Sequence, residues 1–375
     1  MRYREYKGIN RKVSVLGYGC MRYPKNADGS VNELRTTRLL REAFRNGVNY
    51  YDSAYGYHNG ESERVLGHAV KPFRDKVIIS TKNWVSAEDT RDTWRERLDE
   101  QVGRLGSPPD ILNFHGLSWE KYSKFVKPKR KGLMGAARQA QKEGLFKHLA
   151  FASHDTPDGI KKLIDTGEFV GITVQYNLLD RRNEEVIEHA EKNGMGVVVM
   201  GPVGGGRLAA PSGRLQKLIR GGTDSTPEIA LRFVFANPHV SCAISGMSDR
   251  KQLMENLRVA NLRTPLTASA KRQVQRALQE IKKLSELYCT ACGYCMPCPH
   301  GVNIPANFNL MNLHRVWGLT EIARQRYAKM TNRERGGLNA SYCKQCGACM
   351  PKCPQDIDII KQLEETDAAL GGKKR

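Results

Sequence analysis

No stretch of this sequence approaches the roughly 20 consecutive apolar residues that a membrane span requires, so no membrane is expected as a partner. The amino terminus, MRYREYKGINRKVSVLGYGC, is basic but has neither an apolar h-region nor a small-residue cleavage site. With no secretory signal visible, the cytoplasm is the expected compartment. Acidic residues are in deficit: 39 Asp and Glu face 60 Lys and Arg, for a formal charge of +21. A surplus of that size attracts polyanions and steers acidic proteins from a distance. Yet the densest basic run, KPKRK at 127–131, is short, lacks interleaved aromatics and fits no nucleic-acid motif. It reads as a solvated loop. Nucleic acid is therefore not expected as a partner, which leaves an acidic electron-carrier protein or an anionic substrate. Cysteine is almost missing before residue 289, where only Cys20 and Cys242 occur, and each reads as a small buried hydrophobe.

The other eight of the ten cysteines fall in two tight groups near the carboxyl end, a distribution unlike a disulfide framework. The second group, Cys343, Cys346, Cys349 and Cys353 followed by Pro354, is C-x₂-C-x₂-C-x₃-C-P. In that run three cysteines hold one [4Fe–4S] cluster and the fourth, set before proline, ligates the other. The first group, Cys289, Cys292, Cys295 and Cys298 before Pro299, has two residues ahead of its last cysteine where three are usual, which weakens Cys298 alone. By the crossing rule, one cluster takes Cys289, Cys292, Cys295 and Cys353, and the other takes Cys343, Cys346, Cys349 and Cys298. Structural zinc is the alternative, since four thiolates also suit a tetrahedral ion. Zinc ribbons pair two Cys-x-x-Cys knuckles, whereas both groups here have four cysteines and a trailing proline.

The 375 residues suffice for one barrel of about 250 residues and a smaller second unit. From residue 13 to about 260, β-rich runs alternate with amphipathic stretches. The eight strand candidates are 13–20, 49–53, 77–82, 111–116, 148–154, 171–177, 196–202 and 241–246. Several of the intervening helices end in the glycine that a helix stop favours. The fold class expected is α/β, a (β/α)₈ barrel over 1–264. Residues 265–288 read as a connecting helix and 289–360 as a two-cluster module. The segment between the cysteine groups looks helical, so the module resembles α-helical dicluster ferredoxins. Residues 361–375 read as a frayed polar tail.

Active sites of such barrels lie at the carboxyl ends of the strands. Asp52 closes the second strand candidate, Tyr57 follows five residues on, Lys82 ends the third and His115 ends the fourth. The segment GVNYYDSAYGYHNGESERVLG closely resembles the aldo-keto reductase pattern G-[IV]-N-x-[IF]-D-T-A-x-x-Y-G-x-G-x-S-E. The opening KVSVLGYGCMR, the STK and FHG strand ends, and the later VQYN and SGMSDRKQLMENL match the same family in order, over nearly all of residues 1–260. That resemblance implies a catalytic tetrad. Tyr57 is the proton donor, and Lys82 is expected to lower its pKa from near 10. Asp52 holds Lys82 by ion pairing, and His115 orients a carbonyl oxygen. Tyr55 is the rival for the acid role, and the five-residue offset from Asp52 selects Tyr57.

The resemblance also implies a nicotinamide cofactor, NADP or NAD. Ser153, His154 and Gln175 match contacts to the carboxamide, with histidine standing where the family has asparagine. Met200 occupies a position that often carries an aromatic ring stacked on the nicotinamide. Gly204, Gly205, Gly206 and Arg207 match the loop that approaches the pyrophosphate, where a Cβ would obstruct the backbone. Ser248, Gln252, Glu255 and Asn256 match the adenosine pattern, with Gln252 replacing the arginine that many members use for the 2′-phosphate and Gly246 replacing a frequent lysine. The function implied is an oxidoreductase acting on a small carbonyl or alcohol, coupled through its clusters to one-electron carriers such as a ferredoxin or flavodoxin. The alternatives are an electron-transfer or redox-sensing protein with the barrel as scaffold, and clusters that merely staple the terminal helices.

Overall fold

The computed structural model describes residues 1–204, 208, 211–286, 293, 295–334, 336–353 and 357–372, without the side chains of residues 214 and 280–286. Contacts divide the chain into two units, residues 1–205 with 230–265, and residues 206–229 with 266–375. No helix among the described residues is long and apolar enough to cross a membrane.

The first unit opens with an antiparallel hairpin, β1 (Tyr3–Tyr6) and β2 (Arg11–Ser14). Eight parallel strands then close a barrel: β3 (Leu16–Gly19), β4 (Tyr50–Asp52), β5 (Ile78–Trp84), β6 (Ile111–His115), β7 (His148–Ser153), β8 (Gly171–Gln175), β9 (Gly196–Met200) and β10 (Cys242–Ser245), with β10 pairing back to β3. The first expected strand, 13–20, is thus two elements, because Val13 and Ser14 pair in the hairpin with Arg4 and Tyr3. Flanking helices follow the strands in order: α1 (Glu33–Arg45), α2 (Glu61–Val70), α3 (Arg91–Leu105), α4 (Leu133–Lys142), α5 (Pro157–Ile164), α6 (Glu184–Lys192), α7 (Thr226–Ala236) and α8 (Arg250–Ala260).

Sequence sets many of these helix limits directly. The Asn32, Thr90, Thr156 and Asp249 side chains cap α1, α3, α5 and α8, each accepting from a backbone N–H of the first turn. Gly106, with φ +67°, ends α3 in the left-handed conformation. The amino end of the barrel is plugged by Tyr6, buried in a cluster with Val13, Tyr50, Ile78, Ile111, Ala150, Val198, Cys242 and Ile244. Gly171 and Gly196, which open β8 and β9, lie so close to the Tyr6 ring that a Cβ at either would collide with it. The hairpin therefore seals the barrel floor and leaves chemistry to the opposite rim.

The second unit is helical: α9 (Ala268–Glu286), α10 (Ile304–Arg315), α11 (Thr320–Ala328) and α12 (Ile359–Leu370). The tail expected to fray is instead largely α12. Asp358 caps it, Ile359, Leu363, Thr366 and Leu370 form its buried stripe, and Tyr327 and Arg315 bond its Asp367 and Glu365. Spacing of i, i+4, i+7 and i+11 makes one helix face, which the polar composition of the segment obscures. Residues 206–229, expected in the barrel domain, also belong to this unit. There Ser212 Oγ donates to the Trp317 carbonyl at 2.7 Å, and the Arg220 N–H donates to Gln273 Oε1 at 3.0 Å.

Candidate active site and cluster loops

Asp52 and Lys82 end up on neighbouring strands because β4 pairs with β5, placing Asp52 opposite Ser80. Residues two apart on a strand share a face, so Ser80 and Lys82 lie on the same side of β5. The Lys82 ammonium forms a short ion pair with Asp52 Oδ1 and donates to the Ser53 carbonyl at 2.6 Å. Ser80 Oγ donates to the other Asp52 oxygen at 3.1 Å, and Asn113 Nδ2 donates to Ser80 at 3.0 Å. Both charges are buried, with 2% of the lysine and 1% of the aspartate exposed. Burial opposes the charge on Lys82, but Asp52 and Tyr57 outweigh it and hold its pKa above the ordinary value. Burial raises Asp52, partly offset by Lys82.

Tyr57 stands over this pair. Its ring centre lies 5.2 Å from Lys82 Nζ and 6.2 Å from the His115 ring, edge to face. Lys82 is the largest single influence on the phenol and lowers its pKa, yet burial, Asp52 and Cys20 together raise it above the usual value. The expected net lowering is therefore reversed, since the buried carboxylate that steadies Lys82 also repels a phenolate. Tyr57 stays protonated across neutral pH. His115 is driven the other way: burial first, then Lys82, His154 and Lys121, push its pKa down to about 3. It is a neutral ring at neutral pH, and its Nδ1 is buried without a hydrogen-bond partner among the described residues. Tyr55, the rival phenol, is occupied elsewhere. Its hydroxyl donates to Glu100 at 2.9 Å, and Arg104 lies over its ring.

The sequence of this chain matches the aldo/keto reductase family profile over residues 15–279. The chain belongs to that family. Residues 288–357 match a 4Fe-4S dicluster domain, so this aldo/keto reductase carries an iron–sulfur module beyond its barrel. An uncharacterized oxidoreductase of Bacillus subtilis is 25% identical to it over 316 residues, covering 76% of this chain and 99% of that protein. The NADH-specific methylglyoxal reductase of Escherichia coli is 24% identical, covering 64% and 87%. Among solved structures, an aldo-keto reductase of Bacillus halodurans in its holo form superposes with a TM-score of 0.62 at 28% identity, covering 74% of this chain and 96% of that one. This reductase is accordingly an oxidoreductase on a nicotinamide-binding fold.

The residues expected at a nicotinamide distribute around the same rim. Gln175 and Met200 lie side by side in the β8–β9 register, and the Gln175 amide has no partner among the described residues. A Cβ on Gly201 would strike that amide, so the glycine keeps room beside it. His154 is exposed at the end of β7. The Ser153 hydroxyl is committed, donating to the Leu117 carbonyl at 2.6 Å and accepting from the Asp155 N–H. Gly204 takes φ +62° after β9, while Gly205, Gly206 and Arg207 lie outside the described residues. At the start of α8, Gln252 bonds Asp249 and Ser248, Asn256 bonds Ser245, and Glu255 is half-buried beside them. An open amide at the rim and polar groups at a helix start fit a dinucleotide.

In the module, Cys289 and Cys292 lie outside the described residues. Cys295 is buried, Cys298, Cys343, Cys349 and Cys353 are half-buried, and Cys346 is exposed. The Gln345 backbone, at φ +53°, donates its N–H to Cys343 Sγ at 3.4 Å, the kind of bond that stabilises a thiolate ligand. Burial, then the neighbouring thiols of Cys343, Cys298 and Cys346, raise the Cys349 pKa. Those four are the crossing set. Among the described residues no three metal-ligating side chains converge on a single ion. Four thiolates per centre are the donor set that a [4Fe–4S] cluster takes, so the residues present fit one.

Sequence reasoning missed three residues of this rim. Ser80, which braces Asp52, was legible as the residue two before Lys82. Trp84, two after Lys82, is 44% exposed at the end of β5. His58, next to Tyr57, was legible as a departure from the glycine that the family pattern has there.

Proposed function

We propose that the barrel reduces a small carbonyl compound, or oxidises the matching alcohol, with NADP or NAD, and that two [4Fe–4S] clusters in the second unit exchange electrons with an acidic one-electron carrier such as a ferredoxin or flavodoxin. The observation that carries this is the convergence of a protonated phenol, a paired ammonium and a neutral imidazole at one end of the barrel. When bound, the nicotinamide supplies the hydride. His115, unable to take a proton at neutral pH, hydrogen-bonds the carbonyl oxygen and fixes its direction. Tyr57 passes its proton to that oxygen as the alkoxide forms. The Lys82 ammonium stabilises the phenolate left behind, and Asp52, Ser80 and the Ser53 carbonyl keep the ammonium in place. A hydride moves two electrons and a cluster one, so coupling requires a two-electron acceptor that passes them singly. The sequence has no recognisable flavin motif for that role.

A second reading makes the barrel a scaffold for electron transfer or redox sensing. The internal commitments of Ser153 and Gln252 favour it, since both are expected cofactor contacts. One experiment separates the two. Anaerobic protein is assayed for iron and sulfide, titrated with NADPH and NADH by fluorescence, and screened on small aldehydes and ketones. About eight irons and eight sulfides, micromolar binding of one nicotinamide and turnover support the first reading. Clusters without nicotinamide binding support the second, and stoichiometric zinc without colour removes both.

A further inference from the structure

The turn that carries Tyr57 is unusual in its backbone. His58 and Asn59, between Tyr57 and the start of α2, take φ +52° and +55°, the left-handed region that residues with a Cβ rarely adopt. The family pattern has glycine at the position of His58, which meets that conformation without cost. A histidine kept there in a strained conformation calls for a compensating contact, and one is present. The His58 ring lies flat on Tyr23, with centroids 5.3 Å apart and planes within 3°. Its Nε2 accepts from the Tyr23 N–H at 3.4 Å.

These contacts join two rim loops, the one after β3 and the one after β4. The joint extends inward. Tyr23, buried, donates from its hydroxyl to the Ser62 carbonyl at 3.4 Å, and Ser62 Oγ bonds both the Cys20 carbonyl and Ser53 Oγ, beside the carbonyl that holds Lys82. Burial, then Lys25, keeps the His58 pKa below its ordinary value, so the ring is neutral. A neutral imidazole has one donor and one acceptor. The acceptor is used here, toward the Tyr23 N–H. The ionisable groups facing it from that loop are Tyr23, Lys25 and Cys20.

We propose that His58 is a positioning residue that clasps the Tyr57 turn to the 20–23 loop and so fixes the phenol over Lys82. The proposal rests on the reading of Tyr57 as the proton donor. A group that only stabilised the fold would, on replacement by glycine, lower stability and activity together. A positioning group trades local strain for geometry at its neighbour.

The test compares His58→Gly and His58→Asn with wild type and Tyr57→Phe, in the cluster-loaded protein. Four readouts are taken: melting temperature, nicotinamide affinity, kcat and KM on one active carbonyl substrate. His58→Gly should keep or raise the melting temperature and keep nicotinamide affinity, while kcat falls at least about tenfold with little change in KM. Asparagine tolerates the left-handed backbone and offers one donor and one acceptor in a short side chain, so His58→Asn should recover most of that loss. Wild-type kcat in His58→Gly overturns the proposal. So does a parallel fall in melting temperature and kcat that asparagine does not restore, because that pattern marks a structural role. Wild-type rates in Tyr57→Phe overturn the underlying reading and the clasp with it, whereas an inactive Tyr57→Phe beside a fully active His58→Gly overturns the clasp alone.

Discussion

The barrel rim and the cluster loops support their chemical groups in opposite ways. At the rim, Asp52 and Lys82 come from paired strands, are almost wholly buried, and are hydrogen-bonded by Ser80 and the Ser53 carbonyl. Among the described residues of the module the cysteines lie on loops and turns, one stretch shaped by left-handed Gln345 and Gly347, and Cys346 is exposed. The contrast follows from what each group would do in the function proposed. Proton transfer depends on fixed dipoles in a dry site, where a charge misplaced by an ångström loses its effect. Electron exchange with another protein needs a ligand set near the surface, and the bound metal itself organises the thiolates.

Lys82→Met should break the rim most severely. It leaves Asp52 buried and unpaired, a loss of about 3–5 kcal/mol for a buried pair, and removes the charge that stabilises the Tyr57 phenolate. Denaturant unfolding and turnover should both fall, and a variant of wild-type stability would show that the pair is not held as tightly as its burial implies. Tyr57→Phe is the cleaner cut. It deletes one proton, so turnover should drop roughly 10²–10⁴-fold with stability and nicotinamide binding intact, while Tyr55→Phe, whose hydroxyl is bound to Glu100, should do far less.

On the module side, Cys346→Ala and Cys298→Ala should each halve the iron content and disturb the same cluster, as read by electron paramagnetic resonance after reduction. Loss of different clusters would refute the crossing set. Gln252→Arg should shift nicotinamide preference toward NADPH, by about tenfold for one added charge-assisted contact. A further effect concerns pH. His115 is held to about 3 when folded against an unperturbed value of about 6.5, so it binds its proton only on unfolding across that window. Its contribution to stability is present above about pH 6.5 and declines as pH falls toward 3. His115→Gln should flatten that part of the stability profile, measured by thermal unfolding between pH 7 and 4.

Much of this was legible in advance for local reasons. A thiolate run of fixed spacing is a ligand set wherever the chain goes. Strand residues near a barrel rim are marked by their place at the end of an apolar run, as Asp52, Lys82 and His115 are. The boundary inside residues 13–20 was hidden because hairpin and barrel strands share one apolar pattern, and α12 was hidden by charged residues around its buried stripe. The segment 206–229 follows a barrel strand in sequence yet packs in the second unit, a matter of long-range contacts that no local pattern records.

The sequence by itself determined the eightfold β/α alternation, the two cysteine groups and the four residue types of the rim, because periodicity, spacing and side-chain chemistry are properties of the chain. Tertiary structure supplied the reason that Tyr55 is unavailable, since Glu100 and Arg104 claim it from another helix. It also decided that the Tyr57 pKa rises, because burial and the combined field of Asp52 and Cys20 outweigh the single nearest charge. Such sums run over groups distant in sequence, and only the folded chain brings them within reach of one another.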